Sequence, residues 1–156
     1  MSVQHHQALD ILARLGAQPA VAFHEGGVLR AVTAILSEIG LECRRDGYGN
    51  LIVRLQGRRP EVPPLALVAH MDHPGFEAVG TVGDFLIGEA LGGVPAGSFS
   101  EGVPLQVILE DGQRVPAFTA GPHGQRGDRR VLIQLDSPQN LELPRPVVFD
   151  LTDFQV

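Results

Sequence analysis

Two residues, His70 and Asp72, stand two positions apart at the end of the apolar run Leu65-Ala66-Leu67-Val68-Ala69. In extended backbone, residues i and i+2 share a face, so this spacing sets an imidazole beside a carboxylate. A neutral imidazole is a good ligand for zinc or cobalt. Its second ring nitrogen usually donates to a carbonyl or carboxylate that fixes the ring, and a neighbouring carboxylate can orient other metal-bound groups without binding the ion. The plainer account of a bare His-x-Asp is a loop pair hydrogen-bonded to backbone. The surroundings narrow the choice between the two. Pro63-Pro64 starts the run and Pro74-Gly75 stops it. A short, unbroken apolar run predicts a strand over 65–70 buried on both faces, and open α/β sheets place ligands at such strand ends.

Other chemistry-bearing residues are weaker candidates. His73 precedes Pro74, which restricts it to extended backbone. Its side chain is expected to point away from that of Asp72, which makes it a rim or substrate-contact residue. His24-Glu25 does not extend to H-E-x-x-H, because position 28 is Val. Glu25 is read as an acidic residue in the first turn of a helix, favourable to its dipole. His123 reads as an exposed loop residue, and His5 and His6 as terminal. Glu77 and Glu89 read as solvated. Cys43 has no nearby His or second Cys to activate it. Ser98 lies outside any G-x-S-x-G elbow, and Gly92-Gly93 lacks the spacing of a phosphate loop.

The elements that must carry these residues follow from periodicity. Leu9, Ile11, Leu12 and Leu15 form an apolar stripe that predicts a helix over 3–15, closed by Gly16. Val28, Ala31, Val32, Ile35, Leu36 and Ile39 predict a second helix over about 25–39, stopped by Gly40. Residues 41–45 and 50–55 read as strands joined by Asp46-Gly47-Tyr48-Gly49. After Gly75 no helical period remains. Short strands over 76–82, 85–87, 105–109, 114–120 and 130–135, separated by glycine turns, predict a small barrel or sandwich. Leu143-Pro144-Arg145-Pro146 reads as a boundary, and Val147-Val148-Phe149 resumes strand character.

Composition bounds the function. The chain has 156 residues and 44% apolar content, with mean hydropathy +0.08, as in a globular protein with a real core. A net charge of −6 without a basic run argues against nucleic acid as a partner. No stretch reaches membrane-span length, and the N-terminus lacks signal-peptide character. One cysteine excludes an intrachain disulfide and fits a reducing compartment. The expectation is a cytoplasmic protein with neither nucleic acid nor membrane as partner.

Two stretches together carry a family resemblance. Asp46-Gly47-Tyr48-Gly49-Asn50-Leu51 matches a D-x-x-G-N-hydrophobic hairpin. Val68-Ala69-His70-Met71-Asp72-His73-Pro74-Gly75-Phe76 matches an apolar strand followed by A-H-x-D-x-x-G-F. In this order the chain resembles the N-terminal part of the dinuclear-metal aminopeptidases of the glutamyl and tetrahedral aminopeptidase family. The resemblance implies an α/β class: part of a zinc-peptidase-like catalytic domain with an inserted small β-barrel domain. It implies catalytic-domain residues 1–75, an inserted barrel over 76–146, and a return strand over 147–156. It assigns His70 as a metal ligand and Asp72 as the catalytic carboxylate beside the site. It further implies two divalent ions, zinc or cobalt, a peptide substrate cut at its N-terminus by a metal-activated water, and a homo-oligomer through the β domain. The family's remaining site residues follow the return strand, and no stretch of this chain matches them. The site is therefore expected to be incomplete and this chain alone inactive. The alternative is a non-catalytic β-rich binding or assembly module that retains the motif as a relic.

Overall fold

The structure, a computed structural model, describes residues 3–59, 62–125 and 127–151. The end of the expected return strand, 152–156, and the side chain of His5 lie outside the described residues. The chain divides into two units. One comprises residues 1–18 with 26–71, the other 19–25 with 72–156.

In the first unit, helices α1 (Val3–Gly16) and α2 (Gly26–Glu38) form where the apolar period predicts them. The Arg14 guanidinium grips the Glu38 carboxylate with two bonds of 2.7 and 2.6 Å. The helix C-terminus at Gly40 uses a left-handed residue, φ 71°. The N–H of Gly40 donates to the Ser37 carbonyl and that of Leu41 to the Leu36 carbonyl, so two otherwise unpaired carbonyls are satisfied. Glu25 lies before α2 rather than in its first turn, and its carboxylate instead accepts the Phe23 N–H at 2.9 Å.

Strands β1 (Cys43–Arg45) and β2 (Leu51–Val53) pair antiparallel across the expected turn. Asp46 organises that turn. One carboxylate oxygen accepts the N–H groups of Tyr48 and Asn50, both at 2.9 Å, and the other accepts the Asn50 side-chain amide at 2.9 Å. The bond from the Asn50 side chain, with help from backbone N–H groups, holds the Asp46 carboxyl below its ordinary range. The D-x-x-G-N stretch is thus a turn-building motif, with Gly49 at φ 95°.

The expected buried strand over 65–70 does not form. Residues 62–70 are all exposed and carry no strand pairing. Leu65, Leu67 and Val68 stand 86%, 90% and 93% exposed. A strand of the parallel-sheet type is buried only when neighbours pair with both its edges and helices cover both its faces. The described residues of this unit provide a hairpin of two three-residue strands and two helices, in which only Val28 and Ile35 are buried. The α/β catalytic sheet is accordingly not formed by the described residues.

The second unit is a six-stranded antiparallel barrel. Strands β3 (Gly75–Val82), β4 (Phe85–Leu91), β5 (Pro104–Ile108), β6 (Arg114–His123), β7 (Arg130–Leu135) and β8 (Arg145–Phe149) close in the order β3-β4-β7-β6-β5-β8. Alternation puts Val115, Ala117 and Thr119 of β6, and Val131 and Ile133 of β7, inside. Val115, Ala117, Val131 and Ile133 meet Phe76, Leu105, Val107 and Val147 in one core. Phe76 makes edge-on contacts with Phe99 and Phe149, ring centres 5.6 and 5.8 Å away. Closure removes the exposed edges that short strands would otherwise present.

In this unit Val147–Phe149, expected as the start of the strand returning to the catalytic domain, lies in β8: Val147 pairs with Phe76 of β3 and Val107 of β5. His123, read as a loop residue, ends β6 opposite Arg130, because an irregularity between Thr119 and Pro122 lets the strand continue.

A short strap, residues 19–25, lies on this barrel. Val21 is fully buried against Ile108 and Val148, which face outward from the strands whose neighbours Val107 and Val147 face in. Among the described residues, no helix is long and apolar enough to cross a membrane.

Candidate functional site

The His70-x-Asp72 stretch runs across the division of the chain, with His70 in the first unit and Asp72 in the second. His70 is exposed and Asp72 half-buried. The segment after Asp72 is firmly built. The His73 N–H donates to the Ala20 carbonyl at 2.7 Å, and the Ala20 N–H donates to His73 Nε2 at 3.2 Å. Val21 and His73 form a parallel bridge. The Nδ1 of the same ring lies 3.1 Å from the Pro74 carbonyl. Nε2 accepts, so the proton sits on Nδ1 and is donated to Pro74. His73, read as a rim residue, is therefore engaged at both ring nitrogens.

Gly75 and Phe76, the last residues of the motif, have packing reasons. A Cβ on Gly75 would stand 2.7 Å from the Val147 carbonyl oxygen and 2.8 Å from a Val21 methyl. Phe76 is the fully buried centre of the barrel's aromatic cluster.

Glu77 and Glu89, read as solvated, face each other across β3 and β4. Like charges in that register repel, and each carboxylate has its own basic partner. Glu77 lies 2.7 Å from His24 Nε2, and Glu89 accepts from Arg130 Nε at 2.8 Å. The His24–Glu77 pair joins residues 53 positions apart. No local sequence signal marks it.

Metal chemistry needs more donors than this. A catalytic zinc ordinarily takes three protein ligands and a water. Among the described residues, no group of three or more His, Cys, Asp or Glu could hold an ion. One imidazole and one carboxylate fall short of that ligand number.

No family model matches the chain. Over 116 residues it is 28% identical to the glutamyl aminopeptidase of Lactococcus lactis subsp. cremoris (strain MG1363), covering 69% of this chain and 31% of that protein. In fold it resembles the aminopeptidase APDkam598 from the archaeon Desulfurococcus kamchatkensis, with TM-score 0.72, 18% identity, and coverage of 94% of this chain and 44% of that one. It also resembles PhTET1-12s, a dodecamer in the asymmetric unit, with TM-score 0.72, 19% identity, and coverage of 96% and 46%. The resemblance carried by the two motifs is thus matched by a sequence relative that is a glutamyl aminopeptidase and by the fold of a second aminopeptidase. The chain spans under a third of the first relative and under half of each solved chain.

Proposed function

We propose that this chain is the N-terminal part of a metal-dependent aminopeptidase and that its catalytic site is incomplete by itself. The observation that carries the reading is the apolar run at 65–69. It leads into His70-x-Asp72 yet stays bare in the first unit, whose described residues supply neither sheet partners nor cover. About 25 cal/mol is lost for each Å² of apolar surface left in water. A run of this kind favours a site completed by further polypeptide. The likeness to aminopeptidases agrees with that.

In a complete enzyme, two divalent ions, zinc or cobalt, would supply a metal-activated water and hold the developing oxyanion. This chain contributes His70 as a ligand and Asp72 as the supporting catalytic carboxylate. The substrate is a peptide cut at its N-terminal residue. The full protein works in the cytoplasm and assembles as a homo-oligomer through the barrel.

The non-catalytic module reading draws on one observation: the barrel closes with its own core, while the donor set among the described residues stays short of a metal centre. Metal analysis and aminoacyl-anilide hydrolysis with the 16.7 kDa chain test the incompleteness. We expect neither stoichiometric zinc or cobalt nor release of the N-terminal residue. Stoichiometric metal together with chelator-sensitive hydrolysis by this chain alone would overturn the proposed incompleteness.

A further inference from the structure

The strap over 19–25 and the start of β3 are stitched together by two histidines, one from each side. His73, next to Asp72, accepts from the strap's Ala20 at 3.2 Å. His24, on the strap, reaches Glu77 of β3 at 2.7 Å. Between these ties Val21 is buried against the barrel, and Gly75 leaves it room. The barrel ladders of β3 begin at Gly75 on the β4 side and at Phe76 on the β8 side. Asp72, His73 and Pro74 therefore lie beyond the sheet, where the bridge to the strap takes over from the ladder.

We propose that His73 is a positioning residue: its neutral, Nδ1-protonated ring clasps Ala20 and fixes the backbone that carries Asp72. The consequence for chemistry rests on the proposed aminopeptidase function, in which Asp72 supports a metal site. The clasp itself does not rest on it. Only a neutral ring serves, because a protonated imidazole has two donors and no acceptor for the Ala20 N–H. The backbone bond from the His73 N–H to the Ala20 carbonyl does not involve the ring and is open to every residue but proline at 73. The ring contribution is therefore separable from it.

The test uses the 156-residue chain and three measurements. Nitrogen-15 NMR of the His73 ring at neutral pH is expected to show the proton on Nδ1 and an unprotonated, accepting Nε2. A proton on Nε2 overturns the clasp. Backbone order parameters at Asp72 are expected near 0.85, the value of rigid backbone, in the native chain and below about 0.6 in H73F. In H73Q, whose side-chain oxygen can accept from Ala20, they are expected to return towards the native value. Amide exchange at Ala20 should follow the same order, while that at Val131 and Ile133 in the barrel stays slow in all three. A merely structural residue would shift stability without loosening Asp72. Asp72 that remains rigid in H73F with the barrel intact contradicts the proposal. Should H73F fail to fold, a loosened Asp72 in H73Q contradicts it as well. Aminopeptidase assays do not enter these readouts, so a failed clasp and a failed aminopeptidase reading remain distinguishable.

Discussion

Gly75 and Val147 approach so closely that a single methyl group would not fit between them. A Cβ at 75 would lie 2.7 Å from the Val147 carbonyl oxygen, with the Val21 methyl at 2.8 Å on the same side. The obstacle is partly backbone and cannot rotate away. Strands β3 and β8 pair next to this point, at Phe76 and Val147. Gly75→Ala is therefore expected to cost about 1–3 kcal/mol, the usual range for forcing volume into packed structure. The midpoint of urea unfolding at unchanged m-value measures it. An unchanged midpoint would mean that the strap and β8 give way freely.

Thr119 is a second fixed point of the barrel. It is 2% exposed, and its hydroxyl donates to the Ser100 carbonyl at 2.5 Å and accepts the Val103 N–H at 2.8 Å. The loop before β5 is held by this one side chain and by two backbone bonds to the same residue. Thr119→Val keeps the shape and leaves two backbone groups unpaired. A loss of about 1–3 kcal/mol is expected, with faster amide exchange at Val103. Thr119→Ser, which keeps the hydroxyl, should retain slow exchange there, and equal exchange in both variants would contradict this role.

The Asp46 turn makes the hairpin acid-sensitive. The folded state holds its carboxyl below the ordinary value of 3.8. A lowered folded pKa means that the ionised form is favoured by folding. Its stabilisation is complete above the unfolded value and disappears as pH falls through the folded one. Amide exchange at Tyr48 and Asn50, corrected for intrinsic rates, is expected to accelerate only once pH falls below the usual aspartate range. In Asp46→Ala it should be fast at every pH. Protection that persists in the alanine variant would remove Asp46 from the turn.

The exposed run at 65–68 should be adhesive. Leu67→Lys replaces a residue that is 90% exposed, so the stability of the barrel should change by no more than about 0.5 kcal/mol. Self-association at high concentration, read by sedimentation, is expected to fall. Association equal to that of the native chain would mean that the run is not the sticky surface.

Local pattern made much of this fold legible. The 3.6 period marked both helices to within a residue or so, and Gly40 marked the second helix's end. The D-G-Y-G-N turn and the barrel strands were visible because turn chemistry and inside-outside alternation are properties of neighbouring residues. The fate of 65–70 was not legible. An apolar run declares that it needs burial, and whether burial occurs depends on partners far away or elsewhere. The same holds for the strap. His24–Glu77 and Ala20–His73 each span 53 positions, and nothing near His73 in sequence shows that its ring is already occupied. Of the candidate site, the motif was legible and its surroundings were not. His70-x-Asp72 stands out by spacing, while the reason for Gly75-Phe76 emerges only from the Val147 contact and the aromatic cluster.

The central claim is that His70 belongs to a metal site finished by polypeptide outside these 156 residues. Its most direct test is to express the complete reading frame that contains this chain, and to measure release of N-terminal residues with and without His70→Ala. The account predicts hydrolysis that a chelator abolishes and added zinc or cobalt restores, with a loss of at least about a hundredfold in the His70→Ala protein and its barrel still folded. Full activity in that variant, or none in the metal-loaded native protein, would contradict it.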